Sequence, residues 1–86
     1  MYKVLLTKEA VKYYRKSDTN TKQKLNKCFE ILKENPYNDS NIKRLHGELA
    51  GLFRYRAGSI RIIFKIEEEK VTVIVIAIGS KGDIYK

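Results

Sequence analysis

Four cations stand at alternate positions in one stretch of this chain: Arg54, Arg56, Arg61 and Lys65, within residues 52–66, LFRYRAGSIRIIFKI. Three of the four are arginine in a protein that otherwise prefers lysine, 13 Lys to 5 Arg. A guanidinium carries a planar fork of N–H donors that meets two oxygens of a phosphate at once, whereas an ammonium acts as a point charge. The chemistry such a group supports is capture of an anion, and of a phosphodiester in particular.

Two strands must bring these cations together. Phe53, Tyr55, Ile60, Ile62, Phe64 and Ile66 are strand formers, and Gly58-Ser59 between them fits a two-residue type II′ loop with glycine supplying the positive φ. That loop sets Ala57 opposite Ile60, Arg56 opposite Arg61 and Tyr55 opposite Ile62. The apolar residues then share one face, and Arg54, Arg56, Arg61, Ile63 and Lys65 share the other. Arg56 directly across from Arg61 is a repulsive pair that costs up to about 1 kcal/mol. A bound polyanion would offset it. An antiparallel sheet ordinarily shows water a polar face, so it is the arginine bias that favours an anion site over a merely solvated surface.

The composition agrees. The 86 residues are expected to form one domain with a single modest core, and 18 Lys plus Arg against 10 Asp plus Glu leave a net charge of +8. So strong a positive charge on a small surface attracts nucleic acid, anionic membrane or an acidic protein. The apolar run at residues 71–78 is too short to span a bilayer, and no signal-peptide pattern opens the chain, so no membrane partner is expected. Cys28 is the one cysteine, which excludes a disulfide framework and fits a reducing cytoplasm. On the apolar stripe of a helix it reads as a small core residue rather than a reactive thiol. His46 lies in a loop with no acid-base partner nearby in sequence and reads as a surface histidine.

The other elements follow in order. Residues 2–6 form a strand; Thr7 caps a first helix that runs to about Lys16, with Ala10, Val11 and Tyr14 inward. Asp18 or Thr19 caps a longer second helix with Leu25, Cys28, Phe29 and Leu32 inward, ending before Asn35-Pro36. The helix lysines read first as a solvated face. Gly47 and Gly51 mark turns that lead into the hairpin. After a charged turn at residues 67–70, residues 71–78 form a last strand that is apolar on both faces, with Val71, Val73 and Val75 to one side and Ile74, Ile76 and Ile78 to the other. Such a strand is central in its sheet, so the N-terminal strand or another segment flanks it opposite the hairpin, and Gly79 ends it. The expected fold class is α+β in the order β-α-α-β-β-β, two helices packed on a small twisted, mainly antiparallel sheet.

With Arg44-Leu45-His46-Gly47, the hairpin from Gly51 to Phe64, and Ile78-Gly79 followed by Tyr85 all in place, nearly the whole chain resembles the RelE/ParE superfamily of toxins from type II toxin-antitoxin modules. The hairpin is the most specific part: an R-x-R strand, a glycine turn and a returning strand that opens with arginine. The resemblance implies a cytoplasmic toxin inhibited by a cognate antitoxin protein encoded beside it. It also implies an activity on the ribosome and its mRNA, cleavage without metal or other cofactor, and the sequence offers no carboxylate cluster to hold a metal. Carried over by position, Arg61 would clamp the scissile phosphate while Arg54, Arg56 and Lys65 bind RNA phosphates. Lys81 would donate the leaving-group proton, and Tyr85 would orient the nucleotide or act as base. The tail Ser80-Lys81-Gly82-Asp83-Ile84-Tyr85 lacks the histidine and one cation that many relatives carry there. Two other readings share the residues: a ParE-like inhibitor of DNA gyrase and a non-catalytic nucleic-acid-binding module.

Overall fold

The computed structural model describes residues 1–80. Its elements are β1 (Lys3–Leu6), α1 (Lys8–Lys16), α2 (Thr19–Glu34), β2 (Ile42–Arg44), β3 (Phe53–Ala57), β4 (Ile60–Glu67) and β5 (Thr72–Ser80), with short 3-10 turns at Gly47–Leu49 and Glu68–Lys70. The strands form one sheet in the order β1-β5-β4-β3-β2; β1 and β5 run parallel and every other pair is antiparallel. This is the expected two-helix α+β architecture with one strand more. β2 lies in the segment expected to hold only turns. It has three residues, two of them exposed cations, too few for any alternation to register.

Capping sets the helices in place. The Thr7 hydroxyl accepts from the Ala10 N–H at 3.2 Å and donates to the Ile76 carbonyl at 2.7 Å, so one side chain both starts α1 and ties it to β5. Asp18 accepts from the Thr21 N–H at 2.8 Å and starts α2. Ala10 from α1 and Leu25, Cys28 and Leu32 from α2 are buried against Tyr55, Ile60, Ile62, Phe64, Val73, Val75 and Ile78 of the sheet. Both helices therefore cover the same face of the sheet, α1 over β5 and β1 and α2 over β1 and β3, and leave the cationic face on the other side. Phe29, expected fully inside, is only partly buried. Burial pushes the Cys28 thiol up to about 11, in keeping with an inert core residue. No helix among the described residues is long and apolar enough to cross a membrane.

β5 holds the expected central place but not the expected alternation. Ile63 pairs with Ala77 while the next residue, Phe64, pairs with Val75. Ile76 is thus an extra residue, a β-bulge, and it turns Ile78 onto the same face as Val73 and Val75. Ile74 stays on the opposite face and is only partly buried. The strand also continues through Gly79 to Ser80, because Arg61 and Ile60 pair with them.

Val71 does not belong to β5. It closes the 3-10 turn in the left-handed region, φ 48° and ψ 50°, with 46% of its surface exposed. A β-branched residue there costs about 1–2 kcal/mol. Val71→Asn is expected to raise stability by about 1 kcal/mol, because asparagine tolerates this region. The denaturant midpoint measures it; a lower midpoint would show that the valine side chain contributes packing that outweighs the strain.

A phenol-carboxylate cluster braces the sheet end that carries this turn. Tyr2 donates to Glu68 Oε1 at 2.7 Å, Tyr37 donates to Glu68 Oε2, and the Tyr2 N–H reaches the Lys33 carbonyl at the end of α2. The bonds from Tyr37 and then Tyr2 hold the Glu68 carboxyl below its ordinary value. In return Glu68 raises Tyr2 and pushes Tyr37 up to about 12. A depressed carboxyl contributes stability above its unfolded pKa and loses it as pH falls through the folded one; a raised phenol contributes below its unfolded pKa and loses it as pH rises through about 12. The melting-temperature gap between wild type and Tyr37→Phe is therefore expected to be widest between about pH 5 and 10 and to close on both sides. A gap independent of pH would show that the bond to Glu68 does not carry the effect, since the variant keeps the ring that meets Phe53 edge-on at 5.9 Å.

Candidate functional site

The hairpin forms in the register that Gly58-Ser59 dictates. Gly58 has φ 61° while Ser59 stays in the ordinary negative region, as a type II′ loop requires. Ala57 pairs with Ile60, Arg56 with Arg61, Tyr55 with Ile62 and Arg54 with Ile63. Arg54, Arg56 and Arg61 accordingly stand together on the face away from the helices, with Arg54 diagonal to Arg61. Lys65 shares the face but sits four residues further along β4, about 13 Å from Arg61. It is exposed and reaches Glu67 at 3.7 Å. Lys81 and Tyr85 lie outside the described residues.

The added strand contributes a cation that the sequence reading missed. Lys43 of β2 pairs with Arg54 of β3, so its exposed side chain joins the same face. Three residues cannot show periodicity; the signal was available only as two adjacent cations beside an arginine-rich strand. Arg44, its neighbour, turns the other way and lies over the Phe53 ring at 5.6 Å.

Exposure across this face is uneven. Arg56 is open to solvent, Arg54 is half-buried, and Arg61 keeps 7% of its surface exposed. On β5 the residues across from Ile63 and Arg61 are Ala77 and Gly79, which present a methyl group and a hydrogen and leave room above the strand. Arg61 Nη1 donates to the Gly58 carbonyl at 3.5 Å, the outer limit of a hydrogen bond. The Nε–H groups of Arg54 and Arg61 are both buried and meet no acceptor among the described residues.

That is an expensive arrangement without a ligand. A buried donor without a partner costs about 1–3 kcal/mol, more when charged, and a guanidinium cannot escape by losing its proton. Among the described residues no carboxylate lies within ion-pair distance of Arg54, Arg56 or Arg61. Two unmet N–H groups of like charge, diagonal across one strand pair and over a floor of small residues, suit a planar or tetrahedral oxyanion. Such an anion would fill both donors and cancel the Arg56–Arg61 repulsion.

The fold and the site together define a small cationic α+β domain that gathers three arginines on the face its helices leave free. Residues 4–85 match the model of the ParE toxin of type II toxin-antitoxin systems, and the chain belongs to this family of the RelE/ParE superfamily. Toxin RelG of Mycobacterium tuberculosis is 39% identical over 44 residues, 51% of each protein, so the chain spans about half the length of this curated relative. A solved RelBE toxin-antitoxin complex from Mycobacterium tuberculosis matches with TM-score 0.81 at 27% identity, covering 93% of this chain and 98% of that one. The intact RelBE complex of E. coli matches with TM-score 0.79 at 26% identity, covering 93% and 96%.

Proposed function

We propose that this protein is the toxin of a type II toxin-antitoxin module and acts as a metal-independent, ribosome-dependent mRNA endoribonuclease. The observation that supports the reading most is the pair of buried, unpartnered guanidinium Nε–H groups at Arg54 and Arg61. In such cleavage a ribose 2′-oxygen attacks its own phosphodiester: the bond from phosphorus to the 2′-oxygen forms, the bond to the 5′-oxygen breaks, and a proton passes from one oxygen to the other through the enzyme. Arg61 clamps the phosphate and stabilises the phosphorane charge, with Arg54 and Arg56 adding positive field. Lys65 steers RNA from the far end of β4. By position in the family, Lys81 protonates the 5′-oxygen and Tyr85 orients the nucleotide or accepts the 2′ proton.

The partner that restrains it is a cognate antitoxin encoded alongside. Two solved relatives are toxin-antitoxin complexes, and a cationic cradle whose arginines pair with no carboxylate among the described residues is what an acidic antitoxin segment neutralises. A second reading, inhibition of DNA gyrase, is favoured by the ParE name of the matching family model. Mapping message ends on programmed ribosomes tests the choice. The ribonuclease reading expects new 5′ ends paired with 2′,3′-cyclic phosphates, formed equally in EDTA when polyamines hold the ribosomes together. Intact message together with blocked supercoiling by gyrase would replace it with the second reading.

A further inference from the structure

A second cationic surface lies on the opposite side of the molecule. Lys8, Lys12, Arg15 and Lys16 are all exposed on α1, and none forms an ion pair among the described residues. With Val11 they line a shallow depression of about 370 Å³. Glu9 is the sole acid of the helix. We infer that this strip is a docking rail for the sugar-phosphate backbone of double-stranded RNA, separate from the cleavage cradle. The choice of RNA rests on the ribonuclease reading above.

Three physical points select this partner. First, the spacing is that of a rail: Lys8, Lys12 and Lys16 recur every four residues, about 6 Å apart along the axis, and Arg15 widens the strip toward a neighbouring phosphate. Second, the other polyanions fit poorly. A protein interface needs an apolar centre, and Val11 alone supplies none. An amphipathic helix enters a membrane by its apolar face, but Ala10, Tyr13 and Tyr14 of α1 are already packed against the core. Third, a single strand is held by stacking its bases on exposed aromatic rings. Tyr14 is taken up by Phe29, by Asn26 and by Lys22, which lies over its ring at 5.7 Å. What the strip offers is charge for a backbone whose bases are paired away.

The test compares wild type with the combined variant Lys8→Gln, Lys12→Gln, Arg15→Gln and Lys16→Gln, binding a blunt-ended RNA duplex across a salt titration. All four positions are exposed, and circular dichroism confirms the fold of the variant. Loss of four phosphate contacts is expected to reduce the slope of log affinity against log salt by about 3 to 4 and to weaken binding about tenfold or more. Lys70→Gln, at an exposed cation outside both α1 and the arginine cluster, is expected to bind the duplex like wild type. On ribosomes the combined variant is expected to lose affinity while the cleavage rate, once bound, is unchanged. Unaltered duplex affinity and slope in the combined variant would overturn the inference. So would tighter wild-type binding to a DNA duplex, or equal binding to polyglutamate, which would assign the strip to DNA or to an acidic protein. Duplex binding that depends on α1 without any cleavage of message would sink the ribonuclease reading alone and leave the rail standing.

Discussion

Replacing Phe64 by alanine is expected to remove a large part of the protein's folding stability. Phe64 has no exposed surface, sits at the centre of β4 and stacks on Phe53 with ring centroids 5.5 Å apart. It is also the residue at which the β4–β5 register shifts. Truncating a buried phenylalanine costs about 3–5 kcal/mol, and a chain of this length has about 4–13 kcal/mol in all. Ile74→Ala, at a half-exposed position on the other face, is expected to cost less than half as much. Urea titrations of both variants decide the matter. Comparable midpoints would mean that the face away from the helices is as well packed as the core.

Which features could be read from residues alone follows from how local their causes are. The hairpin register was legible because one glycine with positive φ at Gly58 sets the loop, and the loop sets every pair beyond it. The helix ends were legible because Thr7, Asp18 and Pro36 act on their immediate neighbours. The central place of β5 was legible because six apolar residues in a row, Val73 to Ile78, must be covered on both sides.

The bulge at Ile76 was not. Its partners lie far off in sequence, the Ile76 carbonyl accepting from the Thr7 hydroxyl 69 residues away, and strict alternation, which ignores the bulge, places Ile78 on the wrong face. β2 escaped notice because pairing with β3, rather than propensity, makes Ile42–Arg44 a strand, and with it went Lys43 of the cationic face. Residue type identified the arginine cluster but not its uneven burial, which is set by packing around three strands rather than by any local pattern. That burial distinguishes a cradle from a charged surface.

Arg61→Ala is expected to lower the single-turnover rate of message cleavage on programmed ribosomes by about 100- to 1,000-fold, the effect of deleting one preorganised donor to a transition-state oxyanion. Its affinity for the ribosome should fall far less, because only an interaction that strengthens as charge develops on the phosphorane accelerates the step. Arg61→Lys is expected to recover little, since an ammonium keeps the charge but loses the planar fork and the Nε–H that the burial aims. Stability provides the complementary reading. The guanidinium is buried with one unmet donor and faces Arg56, so Arg61→Gln is expected to melt at the same temperature as wild type or slightly above it. If Arg61→Gln instead melts well below wild type while Arg61→Lys cleaves normally, the guanidinium is a structural prop. The chemistry would then have to be sought elsewhere on the chain.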